Sequence, residues 1–201
     1  MKHISLLVFV GIFLTTSIWA QQFRGGLKLG VTTTQVAGDT YAGFNKAGIN
    51  GGAFVNLGLG HQLAAQLELA YFMKGSRYND QPDLPDFKQY LLRLNYIEMP
   101  VLLQYELSGF VFEAGVSFDF LLSSFEEKDY LQVSQNDWRK MTLNSVFGMM
   151  YSMSEKWMLS FRTVNSITSV RKNAVPGNVK RYGSKFGEFN DALLLSVYYI
   201  L

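Results

Sequence analysis

The stretch Leu94–Leu122 reads LNYIEMPVLLQYELSGFVFEAGVSFDFLL and predicts two long strands joined by a short turn at Ser108–Gly109. From Ile97 to Leu107 the odd-numbered positions are apolar or aromatic, and the even-numbered positions include glutamate and glutamine. After the turn the parity reverses, so that the even-numbered positions are apolar or aromatic. Because successive side chains of a strand point to opposite faces, this is a hairpin with one apolar face and one mostly polar or small face. So long an aromatic-rich face is costly in water and natural in lipid.

The N-terminus predicts a cleavable signal peptide. Met1–His3 is a short basic head, Ile4–Leu14 is an apolar run, and Thr15–Ala20 ends in a small residue. The run is shorter than the roughly 20 residues that a membrane-anchoring helix needs. We therefore predict residues 1–20 as signal peptide and residues 21–201 as a single barrel domain. The chain has no cysteine, so neither a lipid-modified cysteine nor a disulfide framework follows the cut.

Composition excludes nucleic acid as a partner and leaves one way to span a membrane. Without Lys2 the chain carries 17 basic and 16 acidic residues, which gives no clustered positive charge for a phosphate backbone. No stretch after Ala20 is long and apolar enough for a transmembrane helix. Backbone polar groups in lipid must be satisfied internally, so an exported chain of this kind spans only as a closed barrel.

The alternation of apolar and polar residues predicts eight strands, joined by connections that are long and short in turn. The strands cover residues 23–33, 46–59, 63–74, 90–107, 110–124, 138–151 and 156–164, and a last strand carries Leu193–Leu201. An even count with short turns on one side is typical of bacterial outer-membrane barrels, and it predicts both termini in the periplasm. Pro100 lies inside strand four, so either a bulge lies there or part of that strand assignment is wrong.

The two faces of these strands predict which side chains meet lipid. The residues expected to face lipid are Leu67, Leu69, Val101, Leu103, Phe112, Val116, Phe118, Leu159, Phe161, Leu195 and Val197. The aromatic residues Tyr105, Phe110, Tyr151, Trp157 and Tyr199 are predicted to form one interfacial girdle, and Tyr71, Phe118, Phe120 and Trp138 the other. The alternative is a soluble lipocalin-like barrel, whose apolar face would point inward. Charges on the opposite face would line a greasy cavity badly, which favours the membrane.

The opposite face predicts an interior network of charges. Its members are Lys28, Glu68, Glu98, Glu113, Asp119 and Arg162. An eight-stranded barrel is just filled by its side chains, and unpaired buried charges are costly. We expect the three glutamates to pair with Arg162 and Lys28 in a plugged interior, with a gated conductive path as the alternative.

Catalysis finds little support in this sequence. After signal cleavage His61 is the one histidine left, and it lies in a predicted periplasmic turn, whereas a lipase or deacylase would need it near the outer leaflet. No phosphate loop, zinc spacing or calcium loop is present, so we expect neither cofactor nor metal. The surface loops are the expected place of function. Arg171, Lys172, Lys180 and Arg181 either pair with the acidic loops or contact lipopolysaccharide phosphates.

The chain resembles the PorT-like outer-membrane β-barrel family of Bacteroidetes. The similarity is carried by the segments 26–34 (GLKLGVTTT), 67–78 (LELAYFMKGSRY), 94–106 (LNYIEMPVLLQYE) and 110–124 (FVFEAGVSFDFLLSS). The resemblance covers essentially the mature chain, and a proline at position 100 looks like a family feature. Gly148 stands nearly alone in a strand that is glycine-rich in the family, and the final Leu201 replaces the usual aromatic residue.

This resemblance implies an outer-membrane location and a small barrel whose molecular activity is mostly undefined. Some members of the family are associated with the type IX secretion system. We therefore expect a structural or interaction barrel in contact with outer-membrane lipid and lipopolysaccharide. The alternative is a transport protein, either a narrow channel or a component of secretion together with other envelope proteins. An enzyme acting on outer-leaflet lipid is the third hypothesis.

Overall fold

A computed structural model describes residues 23–41, 43–79, 89–133, 137–173, 179–181 and 186–201. The predicted signal peptide, residues 1–20, lies outside these ranges and stays a prediction. Every regular element of the described residues is a strand. The strands are β1 (Phe23–Ala37), β2 (Lys46–Gly60), β3 (Leu63–Asn79), β4 (Gln89–Leu107), β5 (Phe110–Lys128), β6 (Leu131–Gln132), β7 (Met141–Ser152), β8 (Trp157–Ser166) and β9 (Phe189–Ile200).

Eight long strands form a closed antiparallel ring. Each long strand pairs with its neighbour along the chain, and β1 pairs with β9 from Gly26–Ile200 to Ala37–Phe189, which closes the ring. The two-residue β6 adds a short hairpin to the end of β5. The predicted eight-stranded antiparallel barrel is thus confirmed. Among the described residues, no helix has the length and apolar character needed to cross a membrane.

Tight turns hold the strands together at one end of the barrel. His61 and Gln62 join β2 to β3 with φ of 51° and 68°, and Ser108 and Gly109 join β4 to β5 with φ of 51° and 83°. Positive φ at both central residues matches the right-handed twist of the flanking strands. Phe23, the first described residue, and Leu201, the last residue of the chain, lie at this same end, which is the end predicted to face the periplasm.

Several strands run further than their sequence patterns predict. β1 continues to Ala37, β3 to Asn79 and β5 to Lys128, into segments predicted as loops. In contrast, β7 begins at Met141, so the predicted start at Trp138 is wrong. At the end of the barrel opposite the short turns, which we call the mouth, polar residues still pair with the neighbouring strands. The alternation of apolar side chains therefore underestimates the length of these strands.

Pro100 stays in a continuous strand, and the bulge lies elsewhere. β4 and β5 keep one register from Leu107 to Tyr96, with Pro100 opposite Ser117. The pairing of β3 with β4 is interrupted between Leu67–Val101 and Ala70–Glu98 but resumes without a shift, as expected where proline lacks an N–H. The register shift falls at Asn95–Tyr96, where Leu122 is the extra residue. Both alternatives predicted for Pro100 are therefore wrong, because β4 has no bulge there and continues through it as a strand.

The apolar faces of the strands point away from the barrel axis. Leu69 is 56% exposed, whereas its neighbour Glu68 is 2% exposed. The same outward exposure holds for the other residues predicted to face lipid, namely Leu67, Val101, Leu103, Phe112, Val116, Phe118, Leu159, Phe161, Leu195 and Val197. This orientation excludes the lipocalin-like alternative, which needs these side chains inside.

Aromatic residues lie on the outer surface near the short turns. Phe110 contacts Tyr151 with ring centroids 5.1 Å apart, and Trp157 contacts Tyr199 at 4.8 Å. Tyr105, also predicted in this girdle, is exposed beside them. At the other end Phe118 and Phe120 are exposed and Tyr71 is half-buried. Trp138 is 4% exposed and packs inside the mouth, so its place in the second girdle was predicted wrongly.

Candidate functional site

The interior of the barrel is filled by alternating apolar and charged layers. The layer nearest the short turns contains Phe54, Val111, Met150 and Tyr198, with Met158 and Ile200 beside them. A second apolar layer crosses the middle and contains Phe72, Leu102, Val146, Val164, Ala192 and Leu194. A third closes the mouth and contains Val36, Tyr90, Leu92, Leu94, Tyr96, Trp138 and Val170. Charged side chains occupy the levels between these layers.

Arg162 is the centre of the lower charged level. Its Nη1 and Nη2 donate to the two carboxylate oxygens of Glu68 at 3.0 and 2.9 Å. Its Nε and Nη2 donate to Glu113 at 2.7 and 3.0 Å. Lys28 Nζ donates to Glu68 as well, at 2.5 Å. The paired fork of an arginine suits such two-point contacts with carboxylates, so both acids are held in fixed orientations.

Three uncharged side chains complete this level. Tyr198 Oη donates to Glu68 Oε1 at 3.1 Å, and Gln66 Nε2 donates to the same oxygen at 2.6 Å. Gln104 Nε2 donates to Glu113 Oε2 at 3.2 Å. Buried carboxylates are stabilised when their remaining lone pairs are also hydrogen-bonded, so these partners make the charged level tolerable in a dry interior.

The upper charged level contains Lys74, Asp119 and Glu98. Lys74 Nζ donates to Asp119 Oδ2 at 2.7 Å and lies 4.2 Å from the centroid of the Phe72 ring. Lys74 was not included in the predicted network, although it shares the inward parity of Glu68 on β3. Glu98 is fully buried, and neither of its carboxylate oxygens has a hydrogen-bond partner among the described residues.

The mouth opposite the short turns has its own ionic cluster. Arg171 Nη2 donates to Glu126 at 2.8 Å, its Nε donates to Glu188 at 2.9 Å, and its guanidinium lies 4.0 Å from the Trp138 ring centroid. Tyr90 Oη donates to Glu126 Oε1 at 3.1 Å. The cluster joins the end of β5 to the connection between β8 and β9. Arg171 is therefore paired with carboxylates, which is one of its two predicted roles; the other was contact with lipopolysaccharide phosphates.

The bulge at Leu122 explains why Glu126 takes part in the mouth cluster. Below the bulge the odd-numbered residues of β5, such as Glu113 and Asp119, face inward; above it the even-numbered residues do. A single extra residue reverses which side chains face the interior. The sequence pattern held no signal for this reversal.

The other loop cations divide into paired and exposed groups. Arg181 donates to both carboxylate oxygens of Asp191 through Nη1 and Nη2, at 2.5 and 2.8 Å. Lys172 and Lys180 are exposed, and Lys180 Nζ lies 4.7 Å from the Phe186 ring centroid. Of the four predicted loop cations, two lysines remain accessible to an anion in solution.

Cavities open at both ends of the described barrel, and a further one of about 560 Å³ is lined by Leu122, Trp138 and Lys172 among others. A cavity of about 170 Å³ near the short turns is lined by Arg24, Gln66, Gln104 and Glu106 among others. A cavity of about 200 Å³ at the mouth is lined by Asp39, Tyr41, Tyr90 and the Arg171 cluster. The filled layers described above lie between them. None of these cavities includes His61, which is exposed in the turn between β2 and β3.

Burial alters the titration of one carboxyl group at the mouth. The pKa of Asp39 is raised from 3.8 to about 6, first because burial disfavours its charged form and, to a smaller degree, because of the charge of Glu188. Hydrogen bonds partly oppose this shift, including that from the Tyr41 backbone N–H to Asp39 Oδ1 at 2.8 Å. Asp39 therefore changes its charge in a range where its exposed counterparts are already ionised.

Comparison with known proteins identifies the family of this ring of strands. The model of the outer membrane protein β-barrel domain matches residues 19–171. The chain belongs to this family. A search of curated proteins finds no significant match. Members of the outer membrane protein β-barrel domain family lie in the outer membrane, and the filled ring described above is this chain's version of that domain.

Solved structures share the fold of this outer membrane β-barrel domain at low sequence identity. The attachment invasion locus protein Ail of Yersinia pestis is 10% identical, with a TM-score of 0.52 over 90% of this chain and 99% of its own. Neisserial surface protein A is 8% identical, with a TM-score of 0.50 over 87% of this chain and 96% of its own. At such identities the likeness concerns the fold alone.

Proposed function

We propose that this chain is a closed, non-conducting barrel that is anchored in the outer membrane and presents its extracellular mouth to partners. The contact between Arg162 and Glu68 carries the proposal. β8 and β3 stand four places apart in the ring of eight, so this contact spans the full diameter of the barrel. An ion moving along the axis would have to pass three apolar layers and separate a fully buried ion pair.

Conductance across planar lipid bilayers tests the closed interior. We expect refolded protein to insert, as judged by the heat-dependent shift of its electrophoretic mobility, and to give no sustained single-channel steps. Steps of uniform size that change in the Arg162→Ala variant would place an ion path through the lumen and contradict the proposal. Steps that are identical in the variant and the wild type would also contradict it, because they too require an open path.

We infer that the protein is not an enzyme. Its one predicted catalytic candidate, His61, is exposed at the end that faces the periplasm, far from the outer leaflet. The buried carboxylates Glu68 and Glu113 are fully engaged with Arg162 and offer no access to a substrate. Incubation of the protein with radiolabelled phospholipid or lipopolysaccharide should release no acyl chain.

Outer-membrane lipid is the partner that the outward apolar surface supports best. We propose in addition that the exposed Lys172 and Lys180 contact lipopolysaccharide phosphates, a role for which Arg171 and Arg181 are already occupied by carboxylates. The double variant Lys172→Gln/Lys180→Gln should then bind lipopolysaccharide vesicles more weakly, with a reduced salt dependence. Unchanged binding would show that lipid is contacted only by the outward-facing apolar side chains of the strands, which we call the apolar belt.

The resemblance to PorT-like barrels depends mainly on the segment Leu94–Glu106. A role in type IX secretion, which that resemblance suggests, is the alternative function. β4 contains this segment, including Pro100 and the buried Glu98. In a host that uses this secretion system, deletion of the gene should reduce secreted cargo if the alternative holds. Unchanged secretion would contradict it and leave the interaction barrel.

A further inference from the structure

Glu98 on β4 is a buried carboxyl group that the ionic network of the barrel leaves without a direct partner. Its exposed fraction is 0%, and both carboxylate oxygens lack a hydrogen-bond partner among the described residues. An ionised carboxylate in such a place would be strongly destabilising unless another group compensates it. The surroundings of Glu98 must therefore either supply a positive charge or keep the carboxyl group neutral.

Asp119 on β5 stands directly opposite Glu98 in the strand register. Side chains of such opposed residues begin about 4.5–5.5 Å apart, so both carboxyl groups enter the same part of the interior. Asp119 is also 0% exposed, and it accepts a hydrogen bond from Lys74 on Oδ2 while its Oδ1 has no partner among the described residues. Lys74 thus pairs with Asp119, and three carboxylate oxygens of the two acids have no hydrogen-bond partner among the described residues.

The charges in the spanning part of the described barrel do not balance if every group is ionised. Its buried cations are Lys28, Lys74 and Arg162, and its buried anions are Glu68, Glu98, Glu113 and Asp119. Lys28 and Arg162 are engaged by Glu68 and Glu113, so Lys74 is the cation next to Glu98 and Asp119. The excess is one negative charge, and it falls on this pair.

Among the described residues, Lys74 is the one cation that pairs with either acid, because Lys28 and Arg162, whose charges also act on Glu98, are held by Glu68 and Glu113. The side chains that β2, β4, β7 and β9 present at or near this level are Asn50, Tyr96, Thr142, Asn144 and Asn190, none of which carries a positive charge. Lys46 lies on β2 four residues from Asn50, towards the mouth, and its Nζ donates to the Ala47 carbonyl oxygen. The missing unit of positive charge has to come from outside the set of described side chains.

We propose that Glu98 and Asp119 hold one proton between them, so that the interior of the barrel contains a proton-binding site. The proton lies on Glu98, which then donates to Asp119 Oδ1 and gives both unpaired groups a partner. Asp119 keeps its negative charge for Lys74, so the site as a whole is neutral. Two adjacent buried carboxyl groups commonly share a proton, because both cannot ionise side by side.

Infrared spectroscopy of the full barrel in lipid vesicles tests for this proton. At about pH 8, above the range in which Asp39 titrates, the wild type should show the carbonyl stretch of a protonated carboxylic acid. Glu98→Gln should lose this band while the barrel still folds, because an amide has the shape of the protonated acid. Glu106→Gln, the same change at an exposed position of the same strand, should keep it.

Two further variants distinguish a shared proton from an isolated buried acid. In Asp119→Asn, Glu98 becomes the carboxyl group next to Lys74 and should ionise, so the band should disappear. In Lys74→Met both acids lose their cation and should be protonated, so the band should double in intensity. A band that survives unchanged in Glu98→Gln, or that is missing from the wild type, would overturn the proposal.

An alkali cation is the competing source of the positive charge, and a change of salt separates the two. The band should be the same in sodium, potassium and choline chloride if the occupant is a proton. A band that grows only when choline replaces the alkali cations would show that sodium or potassium fills the site, and it would overturn the proposal.

The dependence of stability on pH gives a second measurement. Loss of the proton leaves two adjacent carboxylates beside one lysine. Because an unfolded glutamic acid already releases its proton at about pH 4, this group should raise the unfolding equilibrium constant of the wild type about tenfold per pH unit from there up to the pH at which the folded site loses its proton, and not beyond it. Glu98→Gln should show no such rise, and Glu106→Gln should follow the wild type. Equal pH dependence in the wild type and Glu98→Gln would overturn the proposal.

Discussion

Arg162 is the side chain on which the pairing of the buried carboxylates in the barrel interior depends. Its guanidinium binds carboxylates from β3 and β5, and each of those acids is fully buried. Removal of the cation would leave Glu113 with only the weaker contact from Gln104, whereas Glu68 would retain Lys28. The cost of such a change comes mainly from the charge left behind rather than from the bond that is lost.

We predict that Arg162→Met destabilises the folded barrel by about 3 to 5 kcal/mol. Urea unfolding from lipid vesicles, followed by circular dichroism, measures this loss. The double variant Arg162→Met/Glu113→Gln should recover part of it, because it removes the uncompensated acid. A single variant as stable as the wild type would show that the pair contributes nothing net.

Asp39, at the mouth, makes the stability of the folded barrel depend on pH. Its pKa is raised to about 6, so the folded state holds this proton more tightly than the unfolded chain does, where the value is 3.8. The resulting contribution to stability is complete below pH 3.8 and is lost as the pH rises through about 6. We predict that Asp39→Asn abolishes this loss and gains stability over the wild type across that window. Urea midpoints measured over a pH series check this, with Glu155→Gln in an exposed turn as the control.

The charged residues of the interior illustrate what a sequence predicts at this scale. Lys28, Glu68, Glu98, Glu113, Asp119 and Arg162 were all placed on inward-facing positions by strand parity, and all are buried in the structure. Parity says which face a residue occupies but not how far it lies along the axis. For this reason the pattern predicted a partner for Glu98 that the structure does not show, and it omitted Lys74.

At the scale of elements, the turns and the bulge decide the register. The Ser108–Gly109 turn has positive φ at both positions, and the strands that it joins pair without interruption as far as Tyr96. The sequence located this turn because small residues separate two alternating runs of opposite parity. It could not locate the bulge at Leu122, because a change of parity among the serines near the mouth leaves no contrast of hydrophobicity to detect.

We predict that Gly109→Ala destabilises the barrel by about 1 kcal/mol, because φ of 83° disfavours a side chain. Gly25→Ala is the matched control. A β-carbon at position 25 would meet the Phe54 carbonyl oxygen at 3.6 Å, an ordinary contact, on backbone that any residue adopts. Thermal unfolding in detergent micelles should separate the two variants, and equal melting temperatures would contradict the argument.

At the scale of the whole molecule, the outward apolar belt and the inward charges define a membrane barrel. Fold, strand number and the direction of both faces were predictable, because a period of two persists over whole strands. The mouth was not predictable, since there Trp138, from the connection between β6 and β7, meets Arg171 and Glu188, from the connection between β8 and β9, with no local period. Contacts between distant parts of a chain leave no repeat in its sequence.

We predict that a charge in the belt has a cost that depends on depth. Leu69→Arg, near the middle of β3, should destabilise the barrel by about 2 to 4 kcal/mol, whereas Leu63→Arg, beside the short turns, should cost about 0 to 1 kcal/mol. Both leucines face outward on the same strand. Urea unfolding from lipid vesicles measures the difference. Equal costs would contradict the contact of Leu69 with acyl chains.

The ionic cluster at Arg171 has a consequence for recognition. Arg171 binds Glu126 at the end of β5 and Glu188 just before β9, so residues from two distant parts of the chain are fastened together over the mouth. A docking molecule would meet a rigid platform and would not have to order these residues, which spares the entropic cost of association. The rate of capture should then be set by encounter and orientation, and the lifetime of the complex by the shape of that platform.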